Sequence, residues 1–338
     1  MNDKYLNKSI TFIIILFLIL YSTSGCLDNG NDEKSEFEQK IDQINSKAVK
    51  WLETLDVDPI KLRYDLGLKG KKKFVELLDS YLVLYQTEED QNKKAEYLNK
   101  VQMLTNVTNE IKYHDLSVIN DTIFKQDSTS YLRAWYIMSK FGLNTSYYDD
   151  EIYKVIPRIN THLPTRGINQ KMVFVFYYQE LGYPIVYTVE ELFNLSEIRK
   201  GVPKEKLDNL TLYYITHEVF VLHDINNTEL LTSDDLRYLN DIIPYHINRT
   251  IAENNVDLLA ELIMIMTYLG FHEMAVYKTG LEYLLANQNP NGSFGYYEGY
   301  RKVYADLGIS VDIQLYLHTT EVTLRALNEA IDVFGVDE

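Results

Sequence analysis

Between positions 284 and 300 the chain reads LLANQNPNGSFGYYEGY. A leucine-rich helical pattern stops inside this stretch. Pro290 has no N–H and its ring collides with the preceding turn, so a helix cannot run through it. Asn291-Gly292 suits a tight turn that needs a positive φ. Phe294, set between Gly292 and Gly295, offers that turn an apolar anchor. Just upstream, residues 256–271 (VDLLAELIMIMTYLGF) are apolar almost all round, which predicts a helix buried on most sides. Gly270 ends it. A second helix over 274–287 turns Val276, Leu281, Leu284 and Leu285 inward, and the short connection makes the two an αα-hairpin.

The helical period recurs along the chain. In KKKFVELLDSYLVLYQ, Phe74, Leu77, Leu78, Tyr81, Leu82 and Tyr85 share a face. In DSTSYLRAWYIMSKFG, Asp127 or Ser128 is placed to cap a helix that Gly142 follows, with Leu132, Trp135 and Tyr136 on its apolar side. Further helices are expected over 41–55, 93–104, 149–159, 170–181, 189–200, 233–243 and 319–334. Residues 211–222 (TLYYITHEVFVL) have strand-like composition. They lack clean alternation and a partner strand, so they are read as helix. No Pro/Gly/Ser-rich linker follows position 40, and residues 41–338 are read as one all-α domain.

The string QNPNGSFG, at 288–295, resembles the turn of α/α-toroid proteins, the terpene cyclases and their relatives. There a Gln, then Asn or Asp with Gly-Ser, then an aromatic residue and Gly close each helical hairpin and staple neighbouring helices. HTTEVTLRAL, at 318–327, looks like the next inner helix of such a ring. The resemblance is strongest over 256–334. It implies an α/α toroid of helical hairpins and no particular activity. YHDL, FKQDSTSYLRAWY, HLPTRG and THEVF make the span 60–334 similar to an uncharacterised prokaryotic family, which implies no mechanism.

At the other end, Lys4 and Lys8 precede an apolar run over 10–20 and then YSTSGC, ending at Cys26. This is the order of a secretory signal. The run is short for a spanning helix, which needs about 20 residues. Thr23-Ser24-Gly25-Cys26 resembles a prokaryotic lipobox, with Thr23 where leucine is usual. The resemblance implies a signal peptide over 1–25, lipidation of Cys26 and attachment to the membrane through the lipid. An uncleaved signal anchor is the alternative, and both put the rest of the chain outside the cytoplasm. Residues 26–40 are polar and charged, as in a solvated tether. Cys26 is the only cysteine, so no disulfide can form within one molecule. Asn-X-Ser/Thr triplets begin at Asn106, Asn120, Asn144, Asn194, Asn209, Asn226, Asn248 and Asn291. Composition alone gives roughly three, so the excess suggests a glycosylated exterior protein. The net charge is −16, and the longest basic run, KGKKK at 69–73, is read as a solvated face. Such a chain repels nucleic acid.

The signatures of several toroid chemistries are absent. No Asp-X-Asp-Asp string occurs, Asp149-Asp150 and Asp234-Asp235 lack the third aspartate of a magnesium motif, and Cys26 is not available to a zinc or thioester site. There is no HEXXH and no clean metal-ligand spacing, so neither metal nor cofactor is expected. Glycoside hydrolases and polysaccharide lyases on this fold need no contiguous motif. The candidate catalytic residues are His217 and Glu218, titratable groups in apolar surroundings, Arg166 at a loop-to-helix turn, and His318 opening the last helix. His114, Asp115, Asp127, Tyr297 and Glu298 are candidates for substrate binding. Each has a plain alternative: caps for the aspartates, an ion pair for Arg166, a core histidine for His217. On a helix His217 and Glu218 point about 100° apart. The 28 tyrosines offer rings that stack on sugars. The expectation is an exported, membrane-anchored toroid that binds, and as an enzyme cleaves, a carbohydrate or other envelope polymer. The alternative is a non-catalytic scaffold that binds a protein partner at the cell surface.

Overall fold

Eight of the helices begin where a side chain satisfies an orphan N–H group. Asp58 accepts from Ile60 and Lys61, Asp90 from Asn92, Asn120 from Ile123, Asp208 from Thr211 and Asn255 from Leu258. Thr188 with Glu191 and Thr232 with Asp235 form reciprocal capping boxes. The computed structural model describes residues 35–66, 69–184 and 186–334. The signal segment over 1–25 and Cys26 lie outside the described residues.

In chain order the helices are α1 (Glu36–Leu52), α2 (Pro59–Leu66), α3 (Gly70–Thr87), α4 (Gln91–Thr105), α5 (Asp121–Lys140), α6 (Ser146–His162), α7 (Ile168–Leu181) and α8 (Val189–Phe193). There follow α9 (Glu197–Lys200), α10 (Asn209–Asp224), α11 (Ser233–Ala252), α12 (Val256–Tyr268), α13 (Ala275–Ala286), α14 (Arg301–Asp306), α15 (Leu317–Glu329) and α16 (Ile331–Phe334). The fold is all-α, and no strand occurs among the described residues. No described helix is long and apolar enough to cross a membrane.

The neighbour relations are cyclic. Helix α3 packs on α5, α5 on α7, α7 on α10, α10 on α12, α12 on α15, and α15 back on α3. The intervening helices back onto members of this circuit: α4 on α3, α6 on α5, α11 and α13 on α12, and α1 on α15. A single apolar core runs through both sets, from Ile41 to Ala330. The circuit helices α3 and α12 are buried nearly all round, as their sequences require.

The turn at 288–295 ties three helices together. Gly292 takes φ +101°, and a Cβ there would lie 2.2 Å from the Lys47 carbonyl oxygen of α1. Gln288 donates to the Ile44 carbonyl, also on α1, at 2.9 Å and to Gly292 at 3.0 Å. Phe294 is fully buried and its N–H donates to Thr320 Oγ1 of α15 at 2.9 Å. The stretch therefore ends α13 and pins α1 and α15 to it.

Several expectations are corrected. Helix α1 starts at Glu36, so the tether read over 26–40 gives way to helix five residues earlier, and Ile41 is already core. Asp127 and Ser128 cap nothing: α5 starts at Asp121 behind Asn120, and both side chains are buried in mid-helix. The KGKKK run is no solvated face, because Lys71 and Lys73 are buried against carboxylates. The helix expected over 189–200 splits, because Ser196 accepts from the Arg199 N–H and starts a new one. Residues 211–222 are helical as read, and 233–243 continues through Pro244 to Ala252.

Candidate functional site

Five helices of the circuit send charged and polar side chains toward one another. From α3 come Lys73, Glu76 and Asp79, from α5 Arg133, from α10 Thr216 and His217, from α12 Asp257 and Glu261, and from α15 His318, Thr319, Glu321 and Arg325. The carboxylates of Glu76, Asp79, Glu261 and Glu321 form the wall and are buried. The basic groups reach solvent in part: side-chain accessibility is 41% for His217, 32% for Arg133 and 26% for His318. A five-residue π-helical turn, Asp312–Tyr316, leads directly into α15 and delivers His318 to this recess. Such turns recur at functional sites.

His318 is the hub. Its Nδ1 lies 3.5 Å from both Glu76 and Glu321, and its Nε2 lies 3.8 Å from Asp257. Burial opposes a charged ring, but Asp257, Glu321 and Glu76 outweigh it and hold the pKa at about 9. Burial would also raise Glu76, yet His318, Lys73 and Lys72 together bring it below the usual range. Beside it, Asp79 bridges Arg133 and Arg325, the latter at 2.8 Å, and Arg133 reaches on to Glu321 at 3.1 Å.

His217 and Glu261 have the opposite character. The His217 Nδ1 is 2.7 Å from the Tyr213 carbonyl, which can only accept, so the proton sits on Nδ1 and the lone pair on Nε2. Nε2 makes no hydrogen bond within the described residues. Burial, then the cations His318 and Arg133, push the His217 pKa down to about 4, so the ring is neutral at pH 7. Burial and Asp257 push Glu261 up to about 8. The Thr216 hydroxyl donates to Glu261 and works against that rise. Glu261 lies 3.8 Å from His217. A neutral imidazole and a carboxyl whose pKa is raised thus stand side by side, with the His318 imidazolium in the same recess.

Of the residues singled out from sequence, His217, His318 and Tyr297 belong here. The Tyr297 hydroxyl meets Thr319 at 2.8 Å, and Thr319 donates to Asp257 at 3.2 Å. Glu218 faces the other way, where its carboxylate accepts from the Glu197 and Ile198 N–H groups and caps α9. Arg166 ties its loop to α5 through the Lys125 carbonyl and Ser128, both at 2.9 Å, and stacks on Phe174. His114, Asp115 and Asp127 gather elsewhere. Lys71 pairs with Asp115 at 2.9 Å and with Asp127 at 3.8 Å, while His114 is satisfied by Tyr131 and the Thr108 carbonyl. Glu298 pairs with Arg301 and Tyr316 on the surface, and the Arg301 contact draws its pKa down to about 2. Among the described residues no cluster of His, Cys, Asp and Glu is disposed to hold a metal ion.

Sequence reasoning missed Glu76, Asp79, Arg133, Asp257, Glu261, Glu321 and Arg325. Their signal is a charge inside an apolar helical run, as in FVELLDSYLVL and LLAELIMIM. A separate 510 Å³ cleft lies between the end of α1 and the 301–313 segment, with Trp51, Arg301 and Asp312 in its lining. It holds no histidine, and its Arg301–Asp312 pair is already satisfied at 2.8 Å.

A family model for a domain of unknown function, DUF6895, matches residues 71–323. The chain belongs to the DUF6895 family. No curated protein and no solved structure matches it. The matched span begins in the first turn of α3 and ends inside α15, so the DUF6895 domain contains every recess residue named above except Arg325.

Proposed function

We propose that this DUF6895 chain is an exported, lipid-anchored α/α toroid whose central recess binds and cleaves a carbohydrate or other envelope polymer by acid–base chemistry. The observation that carries the reading is His217: its Nδ1–H is held by a backbone carbonyl and its Nε2 is open, with the Glu261 carboxyl 3.8 Å from the ring. In this reading Nε2 takes a proton from water or from a sugar carbon, and Glu261 delivers one to the leaving oxygen. The His318 imidazolium and Arg133 offset negative charge on the polymer. Tyr297 at the rim offers a ring for a sugar to stack on. The cyclic helix adjacency and the staple at 288–295 support the toroid, and the signal-like N-terminus with its lipobox supports export and anchoring at Cys26.

One observation favours a second reading. Arg133, Asp79, Arg325 and Glu321 satisfy one another in the centre, as in a scaffold that binds a protein partner and does no chemistry. A melting-temperature screen against envelope polysaccharides and oligosaccharides separates the two, because a ligand stabilises the native state according to its concentration over its Kd. The enzymatic reading expects a shift that His217→Trp, which fills the recess, removes. No shift across the panel favours the scaffold.

A further inference from the structure

All eight asparagines of the Asn-X-Ser/Thr triplets between 106 and 291 are exposed. Of the thirteen other described asparagines, five are exposed and the rest are partly or fully buried. The triplets are thus sorted to the surface more strictly than asparagine itself is in this chain. In four of them, Asn120, Asn144, Asn209 and Asn291, the side-chain carbonyl accepts a hydrogen bond from the protein. The amide nitrogen on the same planar group is then turned away from that contact.

We infer that these asparagines are N-glycosylation sites, occupied on the exterior face of the membrane. The inference rests on the export reading above. The reaction transfers an oligosaccharide from a polyprenyl-phosphate-linked donor, through a transferase acting in trans. The bond from the sugar's anomeric carbon to the lipid phosphate breaks, a carbon–nitrogen bond to asparagine Nδ2 forms, Nδ2 loses one proton, and the lipid phosphate leaves with the electron pair. No oxidant or reductant is needed. The amide keeps one N–H, so contacts such as Asn248 Nδ2 to the Pro244 carbonyl survive.

The fold divides the sites by timing. At Asn106, Asn194, Asn248 and Asn291 the hydroxyl residue of the triplet, Thr108, Ser196, Thr250 or Ser293, is buried. A transferase that must read that hydroxyl has to act there before the chain folds. At Asn120, Asn144, Asn209 and Asn226 the hydroxyl partner also reaches solvent, and the folded chain remains a substrate.

The test is peptide mass spectrometry of the full chain purified from the membrane fraction of its own cells, together with identification of its N-terminal peptide. The expected result is sugar mass on asparagines of the eight triplets and none on exposed asparagines outside them, such as Asn92 and Asn240. Thr122→Ala should abolish the addition at Asn120 and Thr122→Ser should keep it. Thr122 is exposed, so neither change disturbs the core. A processed N-terminus at Cys26 with all eight asparagines bare overturns the inference and leaves export standing. An N-terminus at Met1 with bare asparagines overturns both. Sugar that persists in Thr122→Ala is non-enzymatic addition and also overturns it.

Discussion

The Tyr213 carbonyl decides what His217 can do. By fixing the proton on Nδ1 it leaves one lone pair, and burial, then the neighbouring cations, keep that lone pair unprotonated at pH 7. His217→Gln should therefore lower turnover by about 100-fold or more. Its melting temperature should stay near that of the parent, since the ring is 41% accessible. Steady-state kinetics beside a melting curve checks both. The pH profile of kcat/KM should be a bell. It rises as His217 loses its proton through about 4 and falls as Glu261 loses its own through about 8. Glu261→Gln should remove the alkaline limb along with most of the rate. At this scale the sequence was half legible. His217 and His318 stood out because histidine is rare here, with 7 in the chain. Glu218 stood out equally and only caps α9. Its partners lie 20 and 21 positions away, where no local pattern reveals them.

Helix boundaries turn on single side chains, and so do the contacts between helices. Gly292 combines φ +101° with a close approach to the Lys47 carbonyl. Gly292→Ala should cost about 1–3 kcal/mol from backbone strain alone, before the clash with α1 is added. Thr320→Val leaves the buried Phe294 N–H without its acceptor and should cost about 1–3 kcal/mol. Chemical denaturation measures both, and a loss below 0.5 kcal/mol in each (the ordinary range for surface changes) would show that the turn is no staple. The helical period and the Pro-Asn-Gly stop made most of the elements legible. The start of α5 was misjudged because Asp-Ser-Thr reads as a cap, whereas Asn120, seven residues earlier, makes the bond. The lysine run was misjudged because Asp115, which buries Lys71, lies 44 positions away.

Across the whole molecule, the charges of the recess make stability depend on pH. His318 is raised from 6.5 to about 9 and Glu261 from 4.5 to about 8. Groups raised on folding contribute fully below their unfolded values, and the contribution disappears as pH rises through the folded ones. His217 is depressed to about 4, so its contribution is present above 6.5 and is lost as pH falls through 4. The melting temperature should therefore decline between pH 7 and pH 10, and His318→Gln should flatten that decline. An unchanged alkaline limb would mean that His318 is not the charged hub. The cyclic adjacency of six helices was legible only through the resemblance of one turn. The recess was not legible, because the circuit that assembles it joins α3 to α15 across the length of the domain.

The most direct test measures cleavage of envelope polysaccharides by the purified protein and by His217→Gln at pH 6, following new reducing ends and the ultraviolet absorbance of unsaturated products. Product from the parent and a loss of about 100-fold or more in the variant, with matching melting curves, is the result expected of an acid–base recess. Equal rates in the two proteins, or no product from any polymer, would contradict it.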